Sequence, residues 1–325
     1  MTTIRSAAFA GAAALSLNTA QAADLVLYTS QPTEQMESVL ALFNEKHPDI
    51  EVEMFRSGTT EVLNKLQAEL AAGDPQPDVL LIADSVAMEQ LEREGVLQPY
   101  EDADVSALPE GQYDPEMHWF GTKLITTGII HNTAAGVPAP TAWRDLLSPA
   151  AKGQVIMPSP LYSGAAVNHV GAMTQQDAFG WDYYEALAEN GAIAGKGNGS
   201  VRDAVARGEK AYGVIIDYMA FGQKAEGSPV DFAFPEEGVS AINQPVAILA
   251  TARNPEAARA FVDFQLSEAA SEQAVKQNYF PIRKGVAAPE GYPDPETLEI
   301  LPLDEAALMD QTEELKRRFA DLFGG

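Results

Sequence analysis

The chain has 325 residues, of which 46% are hydrophobic and 21% charged, a globular composition long enough for two domains. It contains no cysteine, which excludes disulfides, thiolate metal sites and cysteine nucleophiles. Its 47 acidic residues outnumber 21 basic ones, and the resulting net charge of −26 argues against binding to nucleic acid or to anionic membrane surfaces.

The first 22 residues have the layout of a secretory signal. Arg5 precedes an alanine-rich apolar run from Ser6 to Leu17, and Ala20-Gln21-Ala22 supplies the small residues that a signal peptidase reads. The apolar run is too short to span a bilayer. We therefore expect export, cleavage after Ala22 and a location in the periplasm.

Apolar segments then alternate with amphipathic ones along the chain. The predicted strands are 25–28, 50–55, 78–83, 155–157, 212–216 and 245–250. The predicted helices begin near residues 33, 57, 84, 181, 198, 254 and 304. Because several strands are apolar throughout, the pattern predicts an α/β protein with a parallel sheet covered on both faces. In such sheets, ligands bind beyond the carboxyl ends of the strands.

Several short motifs occur in an order and spacing typical of one family. They are Leu25-Val-Leu-Tyr-Thr-Ser30, Phe43-Asn-Glu-Lys-His-Pro48, Pro77-Asp-Val-Leu-Leu81, Gly95-Val-Leu-Gln-Pro-Tyr100, Ser163-Gly-Ala165, Arg207-Gly-Glu209, Asn254-Pro-Glu-Ala-Ala258 and Phe280-Pro-Ile-Arg283. In these motifs the sequence resembles the periplasmic solute-binding proteins of ABC importers. Within that family it is similar to the branch that binds ferric ions, sugar phosphates or 2-aminoethylphosphonate, and most similar to the last group.

The resemblance implies a two-lobed periplasmic binding protein fold of type II. Each lobe is a sheet flanked by helices, and two hinge strands join the lobes, which close on the ligand. By this analogy lobe 1 comprises residues 24–126 plus 245–288, and lobe 2 comprises 127–244 plus 289–325. We expect a monomer that needs no cofactor and delivers its ligand to an ABC permease in the inner membrane.

The resemblance also implies where an oxyanion is held. Residues expected to bind a phosphonate group are Ser163, Gly164, Ala165, Asn198, Ser57, Thr59, Thr60 and Tyr218. Most of them lie at predicted helix starts, where free N–H groups and the helix dipole favour an anion. Simple helix capping is the alternative reading of each segment.

Basic residues are scarce near these loops, Arg56 being the nearest, which favours a ligand that carries its own positive charge. Asp217 and Asp84 lie on loops that contact ligand in the family, and either is a candidate partner for an ammonium group. The alternatives are an N-cap for Asp84 and a surface acid for Asp217. The cleft wall is expected to include Ser30, Gln31, Tyr28 and Thr127, with Trp119 as a further candidate. A phosphonate with an amine describes 2-aminoethylphosphonate, with sugar phosphates or other phosphate esters as the alternative.

Ferric binding is the second alternative within the family. Ferric members use two adjacent tyrosines, whereas here Tyr218 is followed by Met219. One phenolate with neutral groups is a poor donor set for a hard trivalent cation. The pair Tyr183-Tyr184 falls within a predicted helix, where packing explains it better, so no metal site is expected.

A secreted hydrolase is the alternative from another class. Ser163 and His169 are six residues apart at the start of one helix, a spacing that does not bring the two side chains together. The sequence also lacks a Gly-x-Ser-x-Gly motif. We therefore predict that the protein is not an enzyme.

Overall fold

The computed structural model describes residues 23–293 and 297–324. The signal predicted over residues 1–22 lies outside the described residues. Within the described part of the chain, none of the helices has the length and apolar character needed to cross a membrane.

The structure alternates strands and helices along most of its length. The strands are β1 (Ala23–Thr29), β2 (Ile50–Arg56), β3 (Val79–Leu81), β4 (Leu97–Gln98), β5 (Trp119–Asn132), β6 (Val155–Pro158), β7 (Ile193–Gly195), β8 (Tyr212–Ile216), β9 (Val230–Ala233), β10 (Ser240–Leu249) and β11 (Phe280–Pro281). The helices are α1 (Thr33–Lys46), α2 (Thr59–Ala72), α3 (Ser85–Arg93), α4 (Gly164–Thr174), α5 (Gly180–Glu189), α6 (Asn198–Ala206), α7 (Asp217–Ala225), α8 (Pro255–Gln265), α9 (Glu268–Lys276) and α10 (Glu305–Phe323).

The strands form one sheet with the order β2-β1-β3-β10-β5-β8-β6-β7. Strand β4 pairs with β10, while β9 and β11 pair with β5. The two long strands β5 and β10 therefore lie in the middle, with β1 to β3 on one side and β6 to β8 on the other. The predicted lobe boundaries, at 126/127 and 244/245, fall within these two strands, and the division into lobes itself stays a prediction.

The sheet is mixed, whereas the sequence pattern predicted a parallel one. The pairs β1–β2, β1–β3, β6–β7 and β6–β8 are parallel, as expected for strands joined by helices. Strand β10 runs antiparallel to both β3 and β5, and β5 runs antiparallel to β8. The two central strands depart from the prediction because their pairing partners are distant in sequence.

The hydrophobic core divides according to the two faces of the sheet. On β1, Leu25 and Leu27 pack in a cluster with helices α1 and α8, while Tyr28 packs in another cluster with α2 and α3. Beyond β5, Val155 and Met157 belong to a cluster with α4, α5 and α10, whereas the neighbouring Ile156 packs with α6. This alternation follows the two-residue period of a strand buried on both faces.

Candidate functional site

A cavity of about 420 Å³ lies at the carboxyl ends of strands β1, β2, β6 and β8. Its wall contains eight of the residues expected from the sequence, namely Ser30, Gln31, Ser57, Thr59, Ser163, Ala165, Asn198 and Tyr218. Ile125 of β5 and Gln244 of β10 also line it, so the two central strands contribute to its floor. These eight residues are brought together from five separate stretches of the chain, as the strand order requires.

Three helices begin at this cavity. Helix α2 begins at Thr59, α4 at Gly164 and α6 at Asn198, and residues at each start line the wall. The first N–H groups of a helix have no partner within the helix, and the dipole gives this end a partial positive charge. The cavity therefore presents the positive ends of three helices to one volume.

Ser163 and Asn198 form a connected pair on one side of the cavity. The Ser163 Oγ accepts hydrogen bonds from the N–H of Ala166 at 3.3 Å and from the Asn198 Nδ2 at 3.1 Å. The Asn198 Oδ1 in turn accepts from the N–H of Ile216 at 3.3 Å. Ser163 is thus the N-cap of α4, as in the capping alternative. Because its oxygen already accepts two bonds, its own hydroxyl proton is left to donate to an acceptor in the cavity.

Opposite walls of the cavity approach each other closely at Gly164. A Cβ atom at this position would lie 2.5 Å from the Ala83 carbonyl oxygen and 2.9 Å from the Thr59 Cγ2. At the rim, the Lys196 Nζ lies 3.4 Å from the Glu61 Oε1. These contacts join the β1–β3 side to the β6–β8 side, so the two walls of the cleft touch.

Tyr218 lines the cavity and is otherwise buried. Its ring stacks on that of Tyr279, with centroids 4.1 Å apart. Burial raises the pKa of the Tyr218 phenol to about 12, so the hydroxyl stays protonated at neutral pH. Met219, beside it in the wall, offers only a thioether. A protonated phenol suits hydrogen bonding to an oxyanion better than coordination of a ferric ion.

Three charged side chains line the cavity: Arg56, Lys196 and Glu61. Arg56 Nε donates to the Gln31 carbonyl oxygen at 3.2 Å. Of these, Arg56 was expected near the anion loops from the sequence, whereas Lys196 and Glu61 were not. Lys196 lies just before the predicted helix start at Asn198, and Glu61 lies in the first turn of α2, so proximity to predicted anion loops was the available signal.

Asp217 does not reach the cavity, which corrects the prediction that it binds an amine. The side chain is wholly buried. Its carboxylate accepts hydrogen bonds from Thr126 Oγ1 at 2.7 Å, from the N–H of Thr126 at 3.2 Å and from the N–H of Tyr218 at 2.7 Å. Burial raises the pKa of this carboxyl to about 7. Asp217 joins helix α7 to strand β5. The alternative prediction, that Asp217 is a surface acid, is wrong because its side chain is buried.

Asp84 is the N-cap of helix α3 and also lies outside the cavity wall. Its carboxylate accepts from the N–H of Ala87 at 3.0 Å, the capping alternative considered from the sequence. Burial raises the pKa of the Asp84 carboxyl to about 6. Neither predicted amine partner is therefore positioned to contact a ligand in this cavity.

Several other predicted residues fall outside the wall. The phenol of Tyr28 points to helix α2, where it donates to Glu69 Oε1 at 2.8 Å, because alternation along β1 places it on the opposite side from Thr29. Thr127 is buried within β5, and Thr60 lies in the first turn of α2. Gly164 is not in the wall itself, but its backbone lies against the wall residues Ala83 and Thr59. Trp119 lines a separate crevice.

The Tyr183-Tyr184 pair is part of the core, as the packing interpretation predicted. Both side chains are buried, and the Tyr183 hydroxyl donates to the Trp143 carbonyl oxygen at 2.8 Å. In residues 23–293 and 297–324, the group of histidine and acidic side chains close enough to hold a metal ion is Glu92, Glu116 and His118, away from the cavity.

Comparison with known proteins identifies the family. Residues 29–272 match the family model of the bacterial extracellular solute-binding proteins, and the chain belongs to this family. An uncharacterized protein of Haemophilus influenzae is 28% identical over 266 residues, which cover 78% of this chain and 75% of that protein. Iron uptake protein A1 of Synechocystis is 26% identical over 281 residues, covering 81% and 77%.

Solved structures confirm the predicted fold class. The periplasmic binding protein AfuA from Actinobacillus pleuropneumoniae, with fructose-6-phosphate bound, has a TM-score of 0.84 at 24% identity and covers 93% of this chain and 98% of that one. Iron-bound HitA from Pseudomonas aeruginosa has a TM-score of 0.79 at 23% identity, covering 91% and 99%. The mixed sheet with flanking helices is thus the type II periplasmic binding protein fold.

Family and fold together define the general function. The chain is a solute-binding protein of the bacterial extracellular family. The family that the chain matches consists of solute-binding proteins, and the absence of enzyme activity stays a prediction.

Proposed function

We propose that the protein captures a small organic phosphate or phosphonate in the periplasm, between two closing lobes, and hands it to an inner-membrane permease. The observation that carries this proposal is the convergence of three helix N-termini, α2, α4 and α6, on one cavity. Tetrahedral oxyanions bind well at such sites because backbone N–H groups and helix dipoles favour negative charge.

Side chains around the helix starts complete the oxyanion site. Ser163 and the protonated Tyr218 supply hydroxyl donors, and Arg56 and Lys196 supply positive charge. Hydrogen bonds to a charged acceptor contribute about 1.5–3 kcal/mol each. A site with several such donors suits a phosphoryl or phosphonyl group better than a neutral sugar or a cation.

As the particular ligand we propose 2-aminoethylphosphonate, with Glu61 as the partner of its ammonium group. Glu61 is the carboxylate within the described cavity wall, and it pairs with Lys196 across the rim. The Ser57 hydroxyl donates to the Glu61 carboxylate, and this bond, followed by the Lys196 contact, lowers the pKa of Glu61. Glu61 is therefore ionised at neutral pH and available to an ammonium group.

A sugar phosphate is the second candidate, favoured by two observations. Arg56 and Lys196 both line the cavity, so a ligand need not bring its own positive charge. The cavity, at about 420 Å³, also has room for a hexose phosphate, and AfuA, which was solved with fructose-6-phosphate, shares the fold.

Thermal unfolding with a ligand panel tests the proposal. The panel contains 2-aminoethylphosphonate, ethylphosphonate, fructose 6-phosphate, inorganic phosphate and ferric citrate. A ligand at about a thousandfold over its dissociation constant adds about 4 kcal/mol to the free energy of unfolding, which raises the melting temperature by several degrees. A shift with ferric citrate alone, or with none of the five, would contradict the proposal.

The Glu61→Gln variant separates the two candidates. If 2-aminoethylphosphonate is the ligand, its affinity falls about 10- to 100-fold, because a charged hydrogen bond is lost. Ethylphosphonate, which lacks the amine, should lose at most a few-fold. Strong binding of fructose 6-phosphate by the wild type, with weak 2-aminoethylphosphonate binding, would replace the first candidate by the second.

A further inference from the structure

Lys123 is a buried lysine without an acidic partner. It lies on strand β5 with 3% of its surface exposed. Its Nζ donates a hydrogen bond to the Gln31 Oε1 at 2.9 Å and lies 4.9 Å from the centroid of the Tyr279 ring. Among residues 23–293 and 297–324, no carboxylate lies within ion-pairing distance of this amine. An unpaired buried ammonium is costly, so the arrangement requires an explanation.

Lys123 lies behind the wall of the ligand cavity in two directions, separated from it by one side chain in the first and by two in the second. Gln31, which accepts its hydrogen bond, lines the cavity. Tyr279, which lies against its amine, stacks on Tyr218, another residue of the wall. The Gln31 side chain is further held by its Nε2, which donates to the Gln277 Oε1 at 3.1 Å. A negative charge in the cavity would act on the Lys123 amine through little intervening solvent, where electrostatic interactions are strong.

The ionisable groups around Lys123 leave this amine uncompensated. Helix α7 contributes Asp217, whose carboxylate is occupied by Thr126 and by the backbone of Tyr218. Arg56, after β2, contacts the Gln31 backbone and adds positive charge. The phenols of Tyr279 and Tyr218 are neutral, since burial raises the pKa of both. The neighbouring segments of β10, Asn243–Pro245, and of β11, Phe280–Pro281, have no ionisable side chain.

We infer that the bound anion stabilises the ammonium form of Lys123, so that capture of the anion is accompanied by uptake of a proton at the Lys123 Nζ. This inference rests on the proposed function, because it assigns an anion to the cavity. In the free protein, burial lowers the pKa of Lys123 to about 7, so the amine is mostly neutral at pH 8. An anion beside Gln31 favours the ammonium form, and the proton comes from the buffer.

Titration calorimetry at pH 8.0 in two buffers of different ionisation enthalpy measures this uptake. The probes are fructose 6-phosphate and 2-aminoethylphosphonate. The second pKa of a phosphate monoester is near 6, so fructose 6-phosphate brings almost no proton exchange of its own at this pH. We expect uptake of about one proton per ligand in the wild type and almost none in Lys123→Met. Subtracting the variant cancels any contribution from the ligand.

Two further variants identify the group that titrates. Lys196→Met removes a positive charge from the cavity rim, so it weakens binding while keeping the proton uptake. Asp217→Asn removes another buried group whose pKa is about 7, and it also keeps the uptake. In the wild type the dissociation constant should rise about tenfold between pH 7.5 and 8.5. In Lys123→Met it should change less than twofold.

The possible outcomes separate the two proposals. Binding with proton uptake that Lys123→Met abolishes supports both. Binding without uptake, or uptake lost in Asp217→Asn and retained in Lys123→Met, overturns the role of Lys123 and leaves the proposed function standing. If neither probe binds the wild type, the proposed function fails and the inference fails with it. Lys123→Met replaces one unbranched chain by another, and its folding is checked by circular dichroism.

Discussion

The Ser163 hydroxyl caps a helix and also lines the cavity. Its oxygen accepts from the N–H of Ala166 and from Asn198 Nδ2, and both bonds fix its position. The remaining function of the hydroxyl is to donate, and the cavity is beside it. Capping and anion binding are therefore compatible roles of one side chain, although the sequence presents them as alternatives.

Replacing Ser163 by alanine should weaken all phosphate and phosphonate ligands alike, by about 10- to 100-fold, because one hydrogen bond to a charged acceptor is lost. The measurement is titration calorimetry with 2-aminoethylphosphonate, ethylphosphonate and fructose 6-phosphate. Ser267→Ala is a matched control, since Ser267 caps helix α9 through an equivalent 3.3 Å bond to the N–H of Ala270. Equal effects of the two substitutions on affinity would mean that Ser163 acts only as a cap.

The adjacent tyrosines Tyr183 and Tyr184 differ in their hydrogen bonding. The Tyr183 hydroxyl donates to the Trp143 carbonyl oxygen, whereas the buried Tyr184 hydroxyl has no hydrogen-bond partner among the described residues. Tyr183→Phe should therefore lower the free energy of unfolding by about 1 kcal/mol, and Tyr184→Phe should leave it unchanged or raise it. Urea denaturation tests this. A loss of ligand binding in Tyr184→Phe would contradict the core assignment.

At the scale of elements, the site is made by helix starts rather than by whole helices. Helices α2, α4 and α6 each place only their first residues at the cavity. The start of α4 contacts the opposite wall directly, because Gly164 lies against Ala83 and Thr59. The absence of a side chain at Gly164 thus allows the two sides of the cleft to meet.

Gly164→Ala should weaken ligand binding at least tenfold. The new Cβ would lie 2.5 Å from the Ala83 carbonyl oxygen, so the walls must move apart to accommodate it. Gly199→Ala is the control, since Gly199 lies in the first turn of α6 and lines the cavity but its Cβ would meet nothing within 4 Å. Calorimetry measures affinity, and small-angle scattering compares closure. Wild-type affinity in Gly164→Ala would show that close contact of the walls is unnecessary.

At the scale of the whole molecule, strands β5 and β10 connect the two sides of the sheet. Strand β5 carries Lys123 and, three residues later, Thr126, which binds Asp217. The middle of the molecule therefore contains a buried base, Lys123 on strand β5, and a buried acid, Asp217, which contacts the same strand. The free energy of unfolding should depend on pH through these groups.

Lys123 makes a defined contribution to that pH dependence. Its folded pKa of about 7 lies below the unfolded value near 10.4, so between these values the unfolded chain binds more protons. The free energy of unfolding of the free protein therefore rises with pH in this window. The free energy of unfolding of the wild type, minus that of Lys123→Met, should rise by about 1 kcal/mol per pH unit from pH 7.5 to 9.5. The exposed Lys196→Met variant should show no such trend.

The outline of the fold and eight residues of the cavity wall followed from the sequence. Apolar runs and capping residues are local signals, so strands such as Tyr212–Ile216 and the cap at Asn254 were predicted correctly. Serine and glycine at predicted helix starts indicated the anion loops for the same reason, and Ser163 and Asn198 both line the cavity. The full lengths of β5 and β10 were missed, because their pairing depends on residues far away in the chain.

The sequence by itself determined where many of the helices and strands begin, because capping, alternation and apolar runs act over a few residues. Only the tertiary structure decided which side chains reach the cavity. Asp217 is turned towards Thr126 and Tyr28 towards Glu69, whereas Lys196 and Glu61 meet across the rim. Such contacts join residues more than forty positions apart, and burial then sets the charge state of Lys123. Both depend on packing between distant segments, which no local pattern encodes.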